Sequence, residues 1–251
     1  MSAMRLDKFL SETANLTRKD AKVVLNKGRV SVNGELCKSG DKKVTEADEI
    51  LLDGKRLSNI EEFLYFMLHK PAGVVSATED NKDKTVLDLV KEQEKECNFI
   101  IGKRELFPVG RLDKDTEGLL LLTDDGELAH RLLSPKRHVD KVYYAKLSGI
   151  VPEDAIERFE KGIEVGKEYK AMPAKLEIIK ISPEEASSEV HITLREGKFH
   201  QVKRMCHEIG CEVTYLKRLS MGSLVLDKEL PLGKCRKLTK EEIQILKKEV
   251  E

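Results

Sequence analysis

The chain has 251 residues, its 45 Lys and Arg balance its 45 Asp and Glu, and 40% of its residues are hydrophobic. This composition is typical of globular proteins and excludes fibrous and intrinsically disordered classes, and the length suits one large domain or two smaller ones. No apolar run approaches the roughly 20 residues of a membrane-spanning helix, and residues 1–10 lack a signal-peptide core, so we expect a cytoplasmic protein with no membrane partner. The five cysteines include no CxxC pair, which predicts reduced thiols and no zinc site.

The first sixty residues are predicted to form a small helical module with a hairpin. Thr17 followed by Asp20 predicts a capping box, apolar positions 21, 24 and 25 predict the buried stripe of the helix, and Gly28 predicts its end. Alternating valines then lead into Asn33-Gly34, the strongest short signal for a β-hairpin.

Positive charge is concentrated in this module. Residues 1–43 hold ten Lys or Arg against five Asp or Glu, a net charge of five positives. A solvated helix face is the usual reading of such a run, but a basic face can also neutralise phosphates. The segment "MRLDKFLSETANLTRKDAKVVLNKGRVSVNG" resembles an S4 RNA-binding domain, which we place at residues 1–58. The side chains expected to contact RNA there are Arg5, Lys8, Arg18, Lys19, Lys22 and Arg29.

After a polar linker, "LSNIEE", residues 63–251 mix strand and helix patterns. Strands are predicted in "FLYFMLHK", "GLLLLT", "VYYAKLSGIV", "AKLEIIKI" and "SEVHITLRE". Helices are predicted in "KTVLDLVKEQEKE", "DGELAHRLLS", "PEDAIERFEKG", "HQVKRMCHEIG" and "KEEIQILKKEV". Because these strands and helices do not alternate regularly as in βαβ units, we predict an α+β fold with a largely antiparallel sheet and flanking helices.

The stretch "GRLDKDTEGLLLLTDDG" holds five carboxylates. Its opening imitates a calcium loop, but four leucines stand where that loop would still wrap a cation, so calcium is excluded. Asp124 with Glu127 predicts a capping box for the following helix, with Asp125 at the surface. Asp115 and Glu117 are expected to be exposed in the turn before the strand.

Asp113 is the carboxylate that remains, and Arg111 lies on the same side of an extended chain. The residues alone favour an exposed ion pair here. However, "PVGRLDKDTEGLLLLTDDGELAHRLLSP" closely resembles the active-site motif of pseudouridine synthases, in the branch that modifies small-subunit (16S) ribosomal RNA and its large-subunit relatives. That resemblance implies that Asp113 is the catalytic aspartate.

Two further motifs extend the resemblance over nearly the whole chain. "KVYYAKL" is similar to the segment with the active-site tyrosine, which falls on Tyr143. "EGKFHQVKRMCHEIG" is similar to the motif whose basic residue approaches the aspartate, and that residue falls on Lys203, with Arg204 as the fallback. Arg111 and Arg204 are also candidates for phosphate contact. Lys70, in "HKPAG", lies either near the pocket or at the surface.

The implied reaction breaks the N1–C1′ bond of uridine and rejoins uracil through C5, so no cofactor or metal is expected. A charged Asp113 either attacks C1′ or abstracts a ribose proton, and the sequence leaves both open. A nearby cation, Lys203, should keep the carboxylate ionised in a pocket that excludes water. Tyr143 is expected to stack on the displaced uracil.

The resemblance implies one uridine in the 5′ domain of 16S ribosomal RNA as the target, presented on naked RNA or a small-subunit assembly intermediate, and a monomeric enzyme. Alternatives are a uridine in 23S ribosomal RNA, or a catalytically silent RNA-binding factor of ribosome assembly. A metal-dependent phosphoryl-transfer enzyme using Asp113 and Asp115 is a further rival, but the chain has no Gly-rich phosphate loop.

Overall fold

The computed structural model describes residues 3–14, 16–45, 47–57, 63–94 and 104–251. The chain divides into two compact units, Met1–Phe63 with Glu94–Glu105, and Leu64–Gln93 with Leu106–Glu251. Except for Leu57, the predicted linker "LSNIEE" lies outside the described residues. The domain limits that we place at 58 and 63 therefore stay a prediction.

The first unit contains two helices and short strands. These are Met4–Arg5 (β1), Leu6–Thr13 (α1), Arg18–Asn26 (α2), Val30–Val32 (β2), Glu35–Leu36 (β3), Lys43–Val44 (β4), Ile50–Leu52 (β5) and Lys55–Arg56 (β6). Antiparallel pairing gives a sheet in the order β3-β2-β5-β6 and a separate β1–β4 ladder. The apolar faces of both helices and of β2 form one buried cluster, since each presents its hydrophobic stripe inward.

The local predictions for this unit are confirmed. Helix α2 begins with a capping box in which the Thr17 hydroxyl accepts from the backbone N–H of Asp20 at 3.1 Å. Lys27 is its C-cap, and Gly28 follows with a φ of 66°. Asn33 and Gly34 both have positive φ, as a two-residue hairpin turn requires.

The second unit contains the remaining elements. The strands are Tyr65–Lys70 (β7), Phe107–Pro108 (β8), Glu117–Thr123 (β9), Lys141–Ser148 (β10), Glu164–Val165 (β11), Tyr169–Lys170 (β12), Lys175–Ser182 (β13), Ser187–Leu194 (β14), Glu212–Met221 (β15), Leu224–Val225 (β16) and Cys235–Lys237 (β17). The helices are Val86–Glu94 (α3), Gly126–Leu133 (α4), Ala155–Lys161 (α5), Gln201–Glu208 (α6) and Lys240–Glu249 (α7).

In the described part of the chain, nine of these strands form one sheet with the order β13-β14-β10-β15-β9-β7-β17, in which β8 also pairs with β9 and β16 with β15. All pairs are antiparallel except β15 with β9. The prediction of an α+β fold with a largely antiparallel sheet is confirmed. Every residue of β7 is buried, as its continuous apolar run suggests.

Strand β15 lies at the centre of the sheet, although the sequence pattern does not predict a strand there. It joins β10 to β9, and Gly118 is the point where β9 meets it. Gly118 has a φ of 107°, and a Cβ there would lie 2.6 Å from the backbone nitrogen of Arg218. Only glycine therefore allows this parallel contact, which explains the second glycine of "GRLDKDTEG".

The prediction that Asp124 caps α4 is wrong by one residue. Asp125 is the N-cap, and its side chain accepts from the N–H of Leu128 at 3.0 Å. Asp125 also accepts from the Tyr65 hydroxyl and is buried, so its predicted surface position is wrong as well. Asp124 instead accepts from the N–H of Leu64 at 2.6 Å, which ties the end of β9 to the start of β7.

Candidate active site

The turn that carries Asp113 is held from below by a buried lysine. Lys70, at the end of β7, is fully buried, and its ammonium donates to the carbonyl oxygens of Pro71, Asp113, Lys114 and Thr116 at 2.8–3.3 Å. Desolvation lowers its pKa to about 8, although nearby carboxylates oppose that shift. The reading of Lys70 as a surface residue is therefore wrong.

The segment after Lys70 adds further contacts to the same turn. The N–H of Gly73 donates to the carbonyl of Lys114 at 2.7 Å. The Ser76 hydroxyl donates to the carbonyl of Leu112 at 2.9 Å and accepts from the N–H of that residue at 3.1 Å. "KPAGVVS" thus fixes the backbone on both sides of Asp113.

Asp113 itself is half-buried, with 27% of its side chain exposed. It lies between two basic side chains, His200 at the N-cap of α6 and Lys203 within α6. The Nε2 atom of His200 lies 3.6 Å from Oδ1, and the Nζ atom of Lys203 lies 3.5 Å from Oδ2. The carboxylate faces an open pocket, so water is excluded from it only when a ligand fills the pocket.

Lys203 lies near Asp113 as the resemblance implies, but its hydrogen bonds go to Asp115. Its ammonium donates to both Asp115 oxygens, at 2.7 and 2.8 Å, and this contact lowers the pKa of the Asp115 carboxyl. Asp115 is exposed, as expected, yet it has a defined partner. The lysine therefore lies between two carboxylates and is shared by them.

Tyr143 reaches the pocket from β10, where it pairs in register with Arg218 of β15. Its ring is buried, and within the described residues its hydroxyl forms no hydrogen bond, which leaves that group available to a ligand. The side chains of Asp113, Tyr143, Lys203 and Arg111 all line one pocket, together with Leu112, Thr116, Leu194, Gly197, Lys198, His200, Gln201, Val202 and Leu216.

Arg204 points away from this pocket. Its guanidinium forms an ion pair of 2.7 Å with Glu168 and lies 5.4 Å from the ring centroid of Tyr169. Arg204 is therefore not the alternative partner of Asp113, because its charge is turned toward the β11–β12 hairpin.

Two features of the site are not predicted by the sequence patterns. Arg218 is almost fully buried and pairs across the strands with Tyr143; its Nε donates to the carbonyl of Leu119 at 2.8 Å, while its Nη2 has no partner among the described residues. Phe199 and His200 stack at the pocket rim. The sequence signals for these features are a charged residue, Arg218, within a strand and an aromatic residue, Phe199, just before helix α6.

The basic face expected in the first unit is present. One cleft there is lined by Arg5, Asp7, Lys8, Arg18, Lys19 and Lys22. Within the described residues Arg18, Lys19 and Lys22 form no ion pair, whereas Arg5 donates to Asp7.

Arg29 does not belong to this cleft. It donates to Asp53 through two nitrogens, so its charge is already neutralised within the unit.

Among the residues described, no group of three or more His, Cys, Asp or Glu is placed to hold a metal ion. The four described cysteines are free and buried. No helix in the described ranges is both long and apolar enough to cross a membrane.

Comparison with known proteins gives matches over nearly the whole chain. The RNA pseudouridylate synthase family model matches residues 64–208, and the S4 domain model matches residues 4–50. The chain is 40% identical to the ribosomal small subunit pseudouridine synthase A of Haemophilus influenzae, over 98% of this chain and 100% of the relative. It is 39% identical to the ribosomal large subunit pseudouridine synthase B of Bacillus subtilis, over 97% and 95%. A crystal structure of a pseudouridylate synthase superimposes with a TM-score of 0.64 at 38% identity, covering 97% of this chain and 99% of that one.

Proposed function

This chain belongs to the RNA pseudouridylate synthase family and carries an S4 domain, and we propose that it isomerises one uridine of 16S ribosomal RNA to pseudouridine. The observation that carries the proposal is its 40% identity, over the full length, to an enzyme named for the small ribosomal subunit. The 39% identity to a large-subunit enzyme makes a uridine of 23S ribosomal RNA the second candidate.

In this proposal Asp113 is the catalytic carboxylate. Its location is suited to that role, since the turn around it is fixed by buried contacts while the carboxylate faces the pocket. A group held in this way can meet C1′ of the ribose with little loss of orientation. The same geometry suits attack at C1′ and removal of a ribose proton.

Lys203 balances the charge beside Asp113. Its Nζ lies 3.5 Å from Asp113 Oδ2 even while it donates to Asp115, and this attraction strengthens when substrate displaces water and the local dielectric constant falls.

Tyr143 forms the wall on which the displaced uracil stacks, and its hydroxyl is available to hydrogen-bond the base. Arg111, exposed at the same pocket, is the candidate for a phosphate contact beside the target nucleotide.

RNA capture is assigned to the first unit, which we take as residues 1–58, with catalysis in residues 63–251. The three cations of α2 that form no ion pair within the described residues, Arg18, Lys19 and Lys22, are its main phosphate ligands. Lys8 lines the same cleft but is paired with Glu12 at 3.7 Å, so it contributes less. The paired Arg5 and Arg29 contribute less, because each would first have to leave a carboxylate. We infer a monomeric, cytoplasmic enzyme that acts without a cofactor on 16S RNA or a small-subunit assembly intermediate.

The test is tritium release from 16S and 23S ribosomal RNA labelled at uracil C5, in the presence of EDTA. Wild type should release tritium from 16S RNA, and Asp113→Asn should release none although it folds. Asp115→Asn is the matched control from the same turn. It should keep most of the activity, because it removes the charge of Asp115 beside Lys203 but leaves Asp113 in place.

Each outcome discriminates between the candidates. Release from 23S RNA alone would move the target to the large subunit. Loss of release in EDTA would favour metal-dependent chemistry. Silence on both RNAs and on assembly intermediates would favour an RNA-binding assembly factor, and activity retained by Asp113→Asn would remove Asp113 from the mechanism.

A further inference from the structure

The rim of the candidate active site carries an exposed aromatic ring. Phe199 is 70% exposed, and its ring stacks on that of His200 with centroids 3.8 Å apart and planes inclined by 19°. Single exposed apolar side chains are ordinary. Phe199 differs from these because its ring stacks on His200, which lies beside the carboxylate of Asp113.

The stacked pair lies next to Asp113. His200 lines the pocket, with its Nε2 atom 3.6 Å from Asp113 Oδ1, and Phe199 is one ring further from the carboxylate. A nucleotide whose base enters this pocket therefore places its chain neighbour at the rim where Phe199 is exposed.

The turn that carries both rings is rigid. Gln201 is buried; its N–H donates to the carbonyl of Lys198 at 3.2 Å, and its side-chain oxygen accepts from the N–H of Lys198 at 2.9 Å. Its side-chain nitrogen donates to the buried Glu196 at 2.6 Å. His200 is held with a φ of 49°, a left-handed conformation that persists only where its surroundings enforce it.

Positive charge surrounds the rings. Lys198 and Lys203, on either side of the pair in sequence, line the pocket together with Arg111. Lys198 is paired with Glu196 and Lys203 with Asp115, whereas Arg111 forms no ion pair within the described residues. Flat aromatic rings flanked by cations are the combination by which proteins hold unpaired nucleotides, with bases on the rings and phosphates on the cations.

We propose that Phe199, backed by His200, stacks on the nucleobase adjacent to the target uridine in the substrate RNA. The proposal rests on the proposed function, because it requires a uridine turned out of its stack toward Asp113. The ring of Phe199 then replaces the stacking partner that the neighbouring base loses when the uridine leaves.

The test compares Phe199→Ala, Phe199→Leu and Phe199→Trp in tritium release from 16S and 23S RNA. Alanine and leucine should each raise KM about tenfold, within the range seen when stacking aromatics are truncated, with kcat changed less than about threefold. Tryptophan should keep KM near the wild-type value, since it offers a larger flat ring. Val225→Ala is the matched control, because Val225 is also a largely exposed apolar side chain of the same unit, but neither of its chain neighbours lines the pocket, as both neighbours of Phe199 do.

A second readout does not need turnover. In the Asp113→Asn background, Phe199→Ala should raise the Kd for the RNA transcript about tenfold at 200 mM salt, where phosphate contacts weaken. If wild type modifies neither RNA, the proposed function fails, and this Kd comparison still decides whether Phe199 stacks on RNA.

Two results would overturn the stacking role. Leucine behaving as wild type would show that a flat ring is not needed. A fall in kcat with KM and Kd unchanged would show that Phe199 only supports His200 and Asp113.

Discussion

Replacing Lys70 with methionine tests whether this buried ammonium positions the catalytic turn. Methionine fills similar space but cannot donate to the four carbonyl oxygens that Lys70 contacts. Two of these oxygens keep another donor, because Asp113 O also accepts from the N–H of Thr116 and Lys114 O from that of Gly73. The other two lose the donor that Lys70 supplies.

The expected loss of stability is modest because two effects oppose each other. Two buried acceptors left without Lys70 cost about 2–6 kcal/mol together. Against this, burial lowers the pKa of Lys70 from 10.5 to about 8. This shift corresponds to a desolvation cost of about 3 kcal/mol for the charged ammonium, which the methionine variant does not have. The net change lies between a gain of about 1 and a loss of about 3 kcal/mol, so Tm should fall by less than about 12 °C for a chain of this size.

The expected loss of activity is larger than the loss of stability. Asp113 lies in the turn that Lys70 orders, and a displacement of about 1 Å at a reacting group can cost about a hundredfold in rate. We therefore expect kcat for tritium release to fall about a hundredfold while KM changes less than about threefold. Lys141→Met is the matched control, since Lys141 is also buried with its pKa lowered to about 8 by burial, but does not contact the turn.

The pH dependence gives a separate check on Lys70. Below pH 8 the ammonium is charged; as the pH rises through about 8 it loses a proton, and fewer N–H groups remain for the carbonyls. The kcat of wild type should therefore fall above pH 8, and Lys70→Met should lack this fall. Stability should change in the opposite direction: between pH 8 and 10.5 the unfolded lysine binds more protons than the folded one, so the free energy of unfolding should rise.

The positioning role of Lys70 is refuted if Lys70→Met keeps wild-type kcat, or if Lys141→Met loses kcat to the same degree. It is also refuted if the wild-type and Lys70→Met pH profiles have the same shape above pH 8.

The remaining predictions concern folding and RNA capture. Gly118→Ala should destabilise the second unit by more than about 3 kcal/mol, because its Cβ would overlap the backbone of Arg218; Gly126→Ala, with open space around it, should be neutral in the same thermal melt. Charge reversal of Arg18 and Lys22 together should raise KM for RNA and weaken its salt dependence while leaving kcat intact. An unchanged KM in that variant would remove this face from RNA binding.

The sequence by itself determines those features of this protein that depend on residues close together in the chain. The capping box of Thr17 with Asp20 and the hairpin at Asn33-Gly34 depend on residues within four positions of each other, so their energies hardly depend on the rest of the fold. The period of apolar residues likewise identified most helices and strands of the second unit, and the family motifs identified Asp113 as the carboxylate to examine.

Tertiary structure alone decided the non-local contacts. Strand β15 was not singled out because its buried positions include a cation, Arg218, whose place depends on β9 packing beside it. Lys70 lies in the core only because distant carbonyls surround its ammonium. Lys203 lies between two carboxylates that are two residues apart in sequence, and its distances to them differ by less than 1 Å. Such choices depend on how distant segments meet in space, and neither periodicity nor spacing along the chain encodes that distance.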